Sequence, residues 1–291
     1  MNSVADDLRK NINYFNQNNP VSLNDKGDRY VIGDVEYPRV TGILGIIDKY
    51  GLRTWAMNMA LDYVREEIYD HVGWPVKPWS DDLKTLGAPP SDNPIEYGLE
   101  YILGMAQFAH EDKRDTAADY GTEAHALLQQ LTLDADTGVP EKFAPVVDAW
   151  QEWMDESGMQ ILATEQTLHY NKDGIRFAGT ADLICLDKDL NVVIVDYKTG
   201  AKIYPEYALQ MAAYSLGMQD SWWNRKGLGI GSATIKAVVM RLPKEEGGKL
   251  EYKEVDNLDQ QEEAFLHAAQ LKLWQSGRNK WKRATRKVKV G

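Results

Sequence analysis

Apolar positions recur along this chain in two rhythms, and the switches between them mark its elements. Residues 30–37, YVIGDVEY, read as a short hairpin around Gly33-Asp34. After Pro38, VTGILGIIDKY and GLRTWAMNMALDYVREEIYDHV carry apolar residues at helical spacing, with Gly51 breaking them apart. Trp55, Met59 and Tyr63 stand four residues apart and read as a packing stripe. The helical rhythm returns from Pro94 to Leu131, with Ala117, Tyr120, Ala124, Leu127 and Leu131 as its apolar stripe. A helix is expected over 143–157, stopped by Gly158. Strands follow at 160–170, 179–187 and 191–198, the first two joined by the Lys172-Asp173-Gly174 turn. Residues 205–218 are helical again, 233–242 and 250–255 are strands, and Asp256 is placed to cap a last helix over 258–276. From residue 143 the order is that of an α/β protein with helices on both faces of a sheet. Residues 1–25 are polar and expected to be loosely held.

Within this frame the stretch GTADLICLDKDLNVVIVDYKTG (179–200) stands out. If its turn centres on Asp189, Asp182 falls opposite Asp196, and directly opposed residues have Cβ atoms about 4.5–5.5 Å apart. Lys198 lies two residues beyond Asp196 and leaves the same face of the strand. The run Val192-Val193-Ile194-Val195 is apolar on both faces, as in a central strand covered by helices. Charges at the end of such a strand are costly unless a cation or a substrate needs them. Two carboxylates with a lysine suit metal-assisted attack on a phosphodiester. Asp182 and Asp196 would hold a hard cation, with the backbone carbonyl of Tyr197 as a further ligand, and Lys198 would orient or deprotonate water or meet the developing charge. Glu165 and His125 are candidates for a second ion. As structural groups, the two aspartates pair instead with Lys198 or Lys202.

Composition narrows the field. A chain of 291 residues, 43% hydrophobic and 26% charged, holds one sizeable core. Its apolar runs are too short to cross a bilayer, and the polar N-terminus is unlike a secretory signal. The lone Cys185 excludes an internal disulfide and a four-cysteine iron–sulfur cluster, and fits a cytoplasmic location. A net charge of −11 argues against nonspecific coating of nucleic acid. The tail at 278–291 nevertheless carries seven Lys/Arg and no acid, with Trp281 among them. It reads either as a solvated terminus or as an arm on phosphates. Residues 73–98, with five prolines interleaved with Trp74 and Trp79, form an insertion: a lid or a surface excursion.

GTADLI followed by VDYKTG resembles motifs II and III of the PD-(D/E)XK nuclease superfamily. GTEAH (121–125) resembles the histidine motif of its RecB-like branch, and QMAAY (210–214) the QxxxY element of that branch. YPRVTGILGIID and GLRTWAMNMA are similar to phage-encoded exonucleases. The resemblance implies a restriction-endonuclease-like αβββαβ core, a central mixed β-sheet flanked by helices, at 143–277. A mostly helical region (1–142) precedes it, and the basic tail follows. It implies Asp182, Asp196 and Lys198 as catalytic, with His125, Glu165, Asp182, Asp196 and the Tyr197 carbonyl around one or two Mg²⁺ or Mn²⁺ ions. Gln210 and Tyr214 engage DNA or brace the site, and Thr199 and Lys202 are expected at the DNA. The activity expected is a DNA exonuclease in phage recombination, replication or end processing, with a single-strand annealing protein as a possible partner and no membrane. A flap-type endonuclease and a non-catalytic DNA-binding adaptor stay open.

Overall fold

The structure is a computed structural model describing residues 2–47, 56–64, 105–106, 109–220 and 234–277. The 73–98 insertion, the 278–291 tail and Trp55 lie outside the described residues; Met59 and Tyr63 are half-buried in a helical segment at 56–64. The chain divides into two compact units, one of residues 1–47 with 124–291 and one of residues 48–123.

Its centre is a five-stranded sheet in sequential order, β4 (Gln160–Lys172), β5 (Ile175–Leu186), β6 (Val192–Lys198), β7 (Ile235–Arg241) and β8 (Glu251–Glu254). The β6–β7 pair is parallel and the other three pairs are antiparallel, so the sheet is mixed. Antiparallel neighbours need only a tight turn, whereas the parallel pair requires a crossover, which contains helix α5 (Glu206–Met218). Helix α3 (Ala109–Leu133), helix α4 (Ala144–Ser157) and helix α6 (Leu258–Ser276) are the other long helices among the described residues from 109 onward. Gly158 ends α4 in the left-handed region at φ 61°, as a C-terminal glycine does.

Two turns set the register. Asp173 and Gly174 both take positive φ (53° and 76°), the two-residue hairpin geometry whose twist matches the strands it joins. The β5–β6 turn is clasped by Asp187, whose carboxylate accepts from the backbone N–H of Asp189 and Asn191, from Asn191 Nδ2 and from Lys236 Nζ, at 2.8–3.0 Å. Leu183 then pairs with Val195 and Leu186 with Val192, the register expected for a turn centred on Asp189.

One face of β5 and β6 presents Ile184, Leu186, Val192 and Ile194 to a core that includes Met211, Met218 and Phe265. Phe177 is fully buried there, stacked on Tyr170 at 5.0 Å and edge-on to Phe265 at 4.9 Å. On the other face Trp150 of α4 donates its Nε1–H to Tyr197 Oη at 2.8 Å. β6 is buried from Val192 to Tyr197, as its two-sided apolar run requires.

Several expectations change. Residues 2–18 form helix α1 (Asn2–Asn18) rather than a loose terminus. Ala5, Leu8 and Ile12 lie at helical spacing in it, and all three are buried. Arg9 Nε donates to the Ile161 carbonyl at 3.0 Å, and the amides of Asn16 and Gln166 bond reciprocally, so α1 is fastened to β4 by polar contacts that no hydrophobic pattern reports. A small sheet of β1 (Val21–Leu23), β2 (Arg29–Ile32) and β3 (Val35–Pro38) follows, with Gly33 at φ 60° in the expected turn. Helix α2 (Val40–Leu44) is five residues long. In α3, Ala117 is exposed and Leu128 joins Ala124, Leu127 and Leu131 in the buried stripe. Asn257 at φ 50°, not Asp256, occupies the N-cap of α6, without a side-chain capping bond.

Candidate active site

Counting from the Asp173-Gly174 turn puts Glu165 across from Asp182, between the paired Thr164–Leu183 and Gln166–Ala181. Counting from the next turn puts Asp182 across from Asp196, one step past the paired Leu183–Val195. Three acids therefore fall in one row across three adjacent strands. Opposed like charges destabilise a sheet. The ladder is interrupted at this row on both sides: neither acid-to-acid position is a paired one. Glu165 itself lies at φ 48°, a left-handed conformation that an ordinary side chain adopts only at a cost of about 1–3 kcal/mol.

Asp182 sits at the junction. Its Oδ2 accepts the backbone N–H of Tyr197 at 2.5 Å, replacing the ladder bond lost between the strands. Its Oδ1 lies 3.1 Å from Nδ1 of His125, on the part of α3 that belongs to this unit. The His125 ring meets the Tyr197 ring edge to face at 5.7 Å, and Tyr197 is in turn fixed by Trp150. Burial alone would lower the His125 pKa, but the hydrogen bond and charge of Asp182 outweigh it, and the net shift is upward. Glu165 is pushed up to about 7, first by burial and then by the charge of Asp182.

Asp196 is buried and held on two sides. Gln210 Nε2 donates to its Oδ1 at 3.0 Å and to Tyr214 Oη at 2.7 Å. Lys198 Nζ forms an ion pair with Oδ2, an oxygen that otherwise makes no well-directed hydrogen bond. Burial pushes the Asp196 carboxyl up, Lys198 pulls it down and Asp182 pushes it up again, leaving it at about 6. Burial would lower the Lys198 pKa, but Asp196 more than offsets this and the ammonium is held above its usual value. The face of Tyr207 covers the ammonium at 4.8 Å from the ring centroid.

One atom each from His125, Glu165 and Asp182 lie within 4.8 Å of one another. Around an octahedral ion with ligands at about 2.1 Å, cis ligands stand about 3 Å apart and only a trans pair reaches about 4.2 Å, so the trio must draw together to share an ion. An imidazole and two carboxylates crowded into a partly dry corner, with Glu165 held to a raised pKa by burial and by the charge of Asp182, form a donor set that suits a divalent cation. Asp196, engaged with Lys198, stands outside this trio.

The structure thus brings His125, Glu165, Asp182, Asp196, Lys198, Gln210 and Tyr214 to one corner of the sheet. Gln210 and Tyr214 are 8% and 4% exposed and bonded to each other, which suits bracing the Asp196 carboxylate rather than reaching for DNA. Thr199 and Lys202 lie on the outgoing loop, where the Lys202 ammonium rests over the Tyr204 ring at 5.0 Å. Tyr207 and Trp150 were not singled out for this corner by sequence. Tyr207 lies one turn before Gln210, the only signal that pointed to it. The trio of Trp150, Tyr197 and His125 left none.

No curated protein matches the sequence. Among solved structures, an alkaline exonuclease from Laribacter hongkongensis is similar at 11% identity and a TM-score of 0.28, over 53% of this chain and 81% of that one. A protein solved as SSO0001 is similar at 12% identity and a TM-score of 0.30, over 79% of this chain and 90% of that one. A family model for the PD-(D/E)XK nuclease superfamily matches residues 137–287, more than half of the chain and all three strands that bear the acids.

Proposed function

The chain belongs to the PD-(D/E)XK nuclease superfamily, and from that membership we propose that it is a Mg²⁺- or Mn²⁺-dependent deoxyribonuclease that degrades DNA from its ends. The observation that carries the reading is the acid row Glu165, Asp182 and Asp196 across three strands, with the Lys198 ammonium bound at its end.

His125, Glu165 and Asp182 would hold one divalent ion, and Asp196 lies beside them to share it or to hold a second. Such an ion, when bound, makes water a nucleophile near neutral pH and neutralises charge on a phosphate. The protein's own groups do the rest. Lys198 keeps its proton because Asp196 lies against it, so it acts as a fixed positive charge for the oxyanion rather than as the base. Gln210 fixes the Asp196 carboxylate, Tyr214 fixes Gln210, and Tyr207 prevents the ammonium from swinging away. His125 is oriented by Asp182 on one side and Tyr197 on the other.

The test is strand cleavage of 5′- and 3′-labelled linear DNA, single- and double-stranded, against a covalently closed circle, with Mg²⁺, Mn²⁺ or chelator. Mononucleotides or short products from linear DNA, an intact circle and no reaction in chelator are expected. A cut circle would make the enzyme an endonuclease. No metal-dependent cleavage of any substrate would leave only a DNA-binding adaptor.

A further inference from the structure

The chain contains a second polar recess that the chemistry above does not use. Between the small sheet, α2 and the β5 strand lies a cavity of about 130 Å³. Tyr30, Arg39, Thr41, Gly179, Thr180 and Tyr214 line it, and none of its lining residues is acidic. Arg39 is the only charged group there. Its Nη1 donates to the Gly27 carbonyl at 3.0 Å and its guanidinium carbon stands 5.8 Å from the centre of the Tyr30 ring. Two anchors hold the planar fork in place, and a guanidinium has five N–H donors, so others remain for a ligand. The hydroxyls of Tyr30 and Thr180 lie 2.9 Å apart, adding an O–H donor beside the cation.

The floor of the recess is shaped for closeness. A Cβ on Gly179 would stand 2.6 Å from Cε1 of Tyr214 and 3.0 Å from Cγ2 of Val40, so only glycine lets α5 and α2 close over β5 here. Tyr214 is also the link to the acid row, since its hydroxyl accepts from Gln210 and Gln210 donates to Asp196. Thr180 lies two residues before Asp182 on the same strand. The recess and the acid row therefore share a wall. One is built for a cation and the other presents a fixed guanidinium and hydroxyls, in a chain whose net charge is −11.

We propose that this recess is a phosphate-binding subsite that holds one phosphate of the DNA strand being cut. Planar recognition by arginine together with hydroxyl donors suits a phosphate group. The phosphate is either the one at the strand terminus or an internucleotide phosphate next to the bond under attack. The inference rests on the nuclease reading and deepens it by naming what grips the strand beside the metal ligands.

The test is equilibrium binding of labelled DNA in chelator, where no strand is cut, across a salt series. Strands end in phosphate or hydroxyl at either terminus, and wild type is compared with Arg39→Gln, Arg39→Lys and Thr180→Val. Arg39→Gln is expected to weaken binding roughly tenfold and to reduce the salt slope by about one. Arg39→Lys recovers part of the loss, and Thr180→Val costs about two- to threefold. A loss confined to one phosphorylated terminus assigns the subsite to that terminal phosphate; an equal loss on all strands assigns it to an internucleotide phosphate. Tyr30→Phe keeps the ring under the guanidinium and removes the hydroxyl, so it decides the matter if the Arg39 variants fail to melt cooperatively: about two- to threefold weaker binding supports the subsite. Unchanged affinity and salt slope in the folded variants, or no binding by wild type, overturns it. If wild type cuts DNA while Arg39→Gln binds as wild type does, the subsite alone falls; if wild type neither binds nor cuts, the nuclease reading falls with it.

Discussion

The two halves of the acid row are built differently. Asp196 and Lys198 stand on β6, a buried strand paired with β7 along its whole length and with β5 as far as Val195, with their positions set by the Asp187-clasped turn. Glu165 and His125 come from less regular places. Glu165 sits at φ 48° where the β4–β5 ladder skips a step, beyond which Leu162 is an extra residue in the strand. His125 is brought in by a helix and oriented only by side chains. Asp182 joins the halves by bonding to both. The ladder half supplies charge at a fixed place, while on the proposed reading the other half would supply ligands whose cost is recovered when a cation arrives. Loss of the first should therefore stop chemistry, and loss of the second should weaken metal affinity.

The largest effect is expected in the ladder half. Lys198→Ala should lower the cleavage rate by about 10²–10³-fold with DNA binding retained, measured by single-turnover cleavage beside a binding assay. In the other half, His125→Ala and Glu165→Gln should weaken metal affinity by about 10–100-fold, so that raising Mn²⁺ restores their rates but not that of Lys198→Ala. Equal rescue of both halves would erase the distinction drawn here.

Acidity sharpens the contrast further. Glu165 titrates at about 7 in the folded protein, above its ordinary value. A carboxyl with a raised folded pKa contributes its stability below the unfolded value, near 4.5, and loses it as pH rises through about 7. Metal-free Glu165→Gln should therefore melt higher than wild type at pH 8 and gain little at pH 5. Conversely, the rise in wild-type Tm on adding Mg²⁺ or Mn²⁺ should grow from pH 5.5 to 8, because the ion must displace that proton. A metal-induced shift independent of pH would contradict the assignment of Glu165 as a ligand. The smallest effect belongs to the support behind His125: Trp150→Phe removes the bond to Tyr197 Oη and should cost about 1–2 kcal/mol in chemical denaturation, with a cleavage rate within a few-fold of wild type.

The ladder half was legible in the sequence because strand pairing is arithmetic. A polar turn centred on Asp189 and a four-residue apolar run were enough to set Asp182 against Asp196. The same count from Asp173-Gly174 reaches Glu165, although nothing in the sequence reports the positive φ there. What stayed hidden were contacts made by polar side chains on distant segments. The Asp187 clasp joins β5 to β7, Arg9 and Asn16 fasten α1 to β4, and Arg39 lies in the recess against Tyr30. Such bonds have no periodicity to detect, and among the described residues of α1 the buried apolar ones are Ala5, Leu8 and Ile12.

The most direct measurement is anomalous diffraction from crystals soaked in Mn²⁺. The account predicts a peak in coordination contact with Asp182 and at least one of His125 and Glu165, with Lys198 close by and not bonded to it. A peak bound elsewhere, or none in crystals of a protein that cleaves DNA with Mn²⁺ in solution, would contradict it.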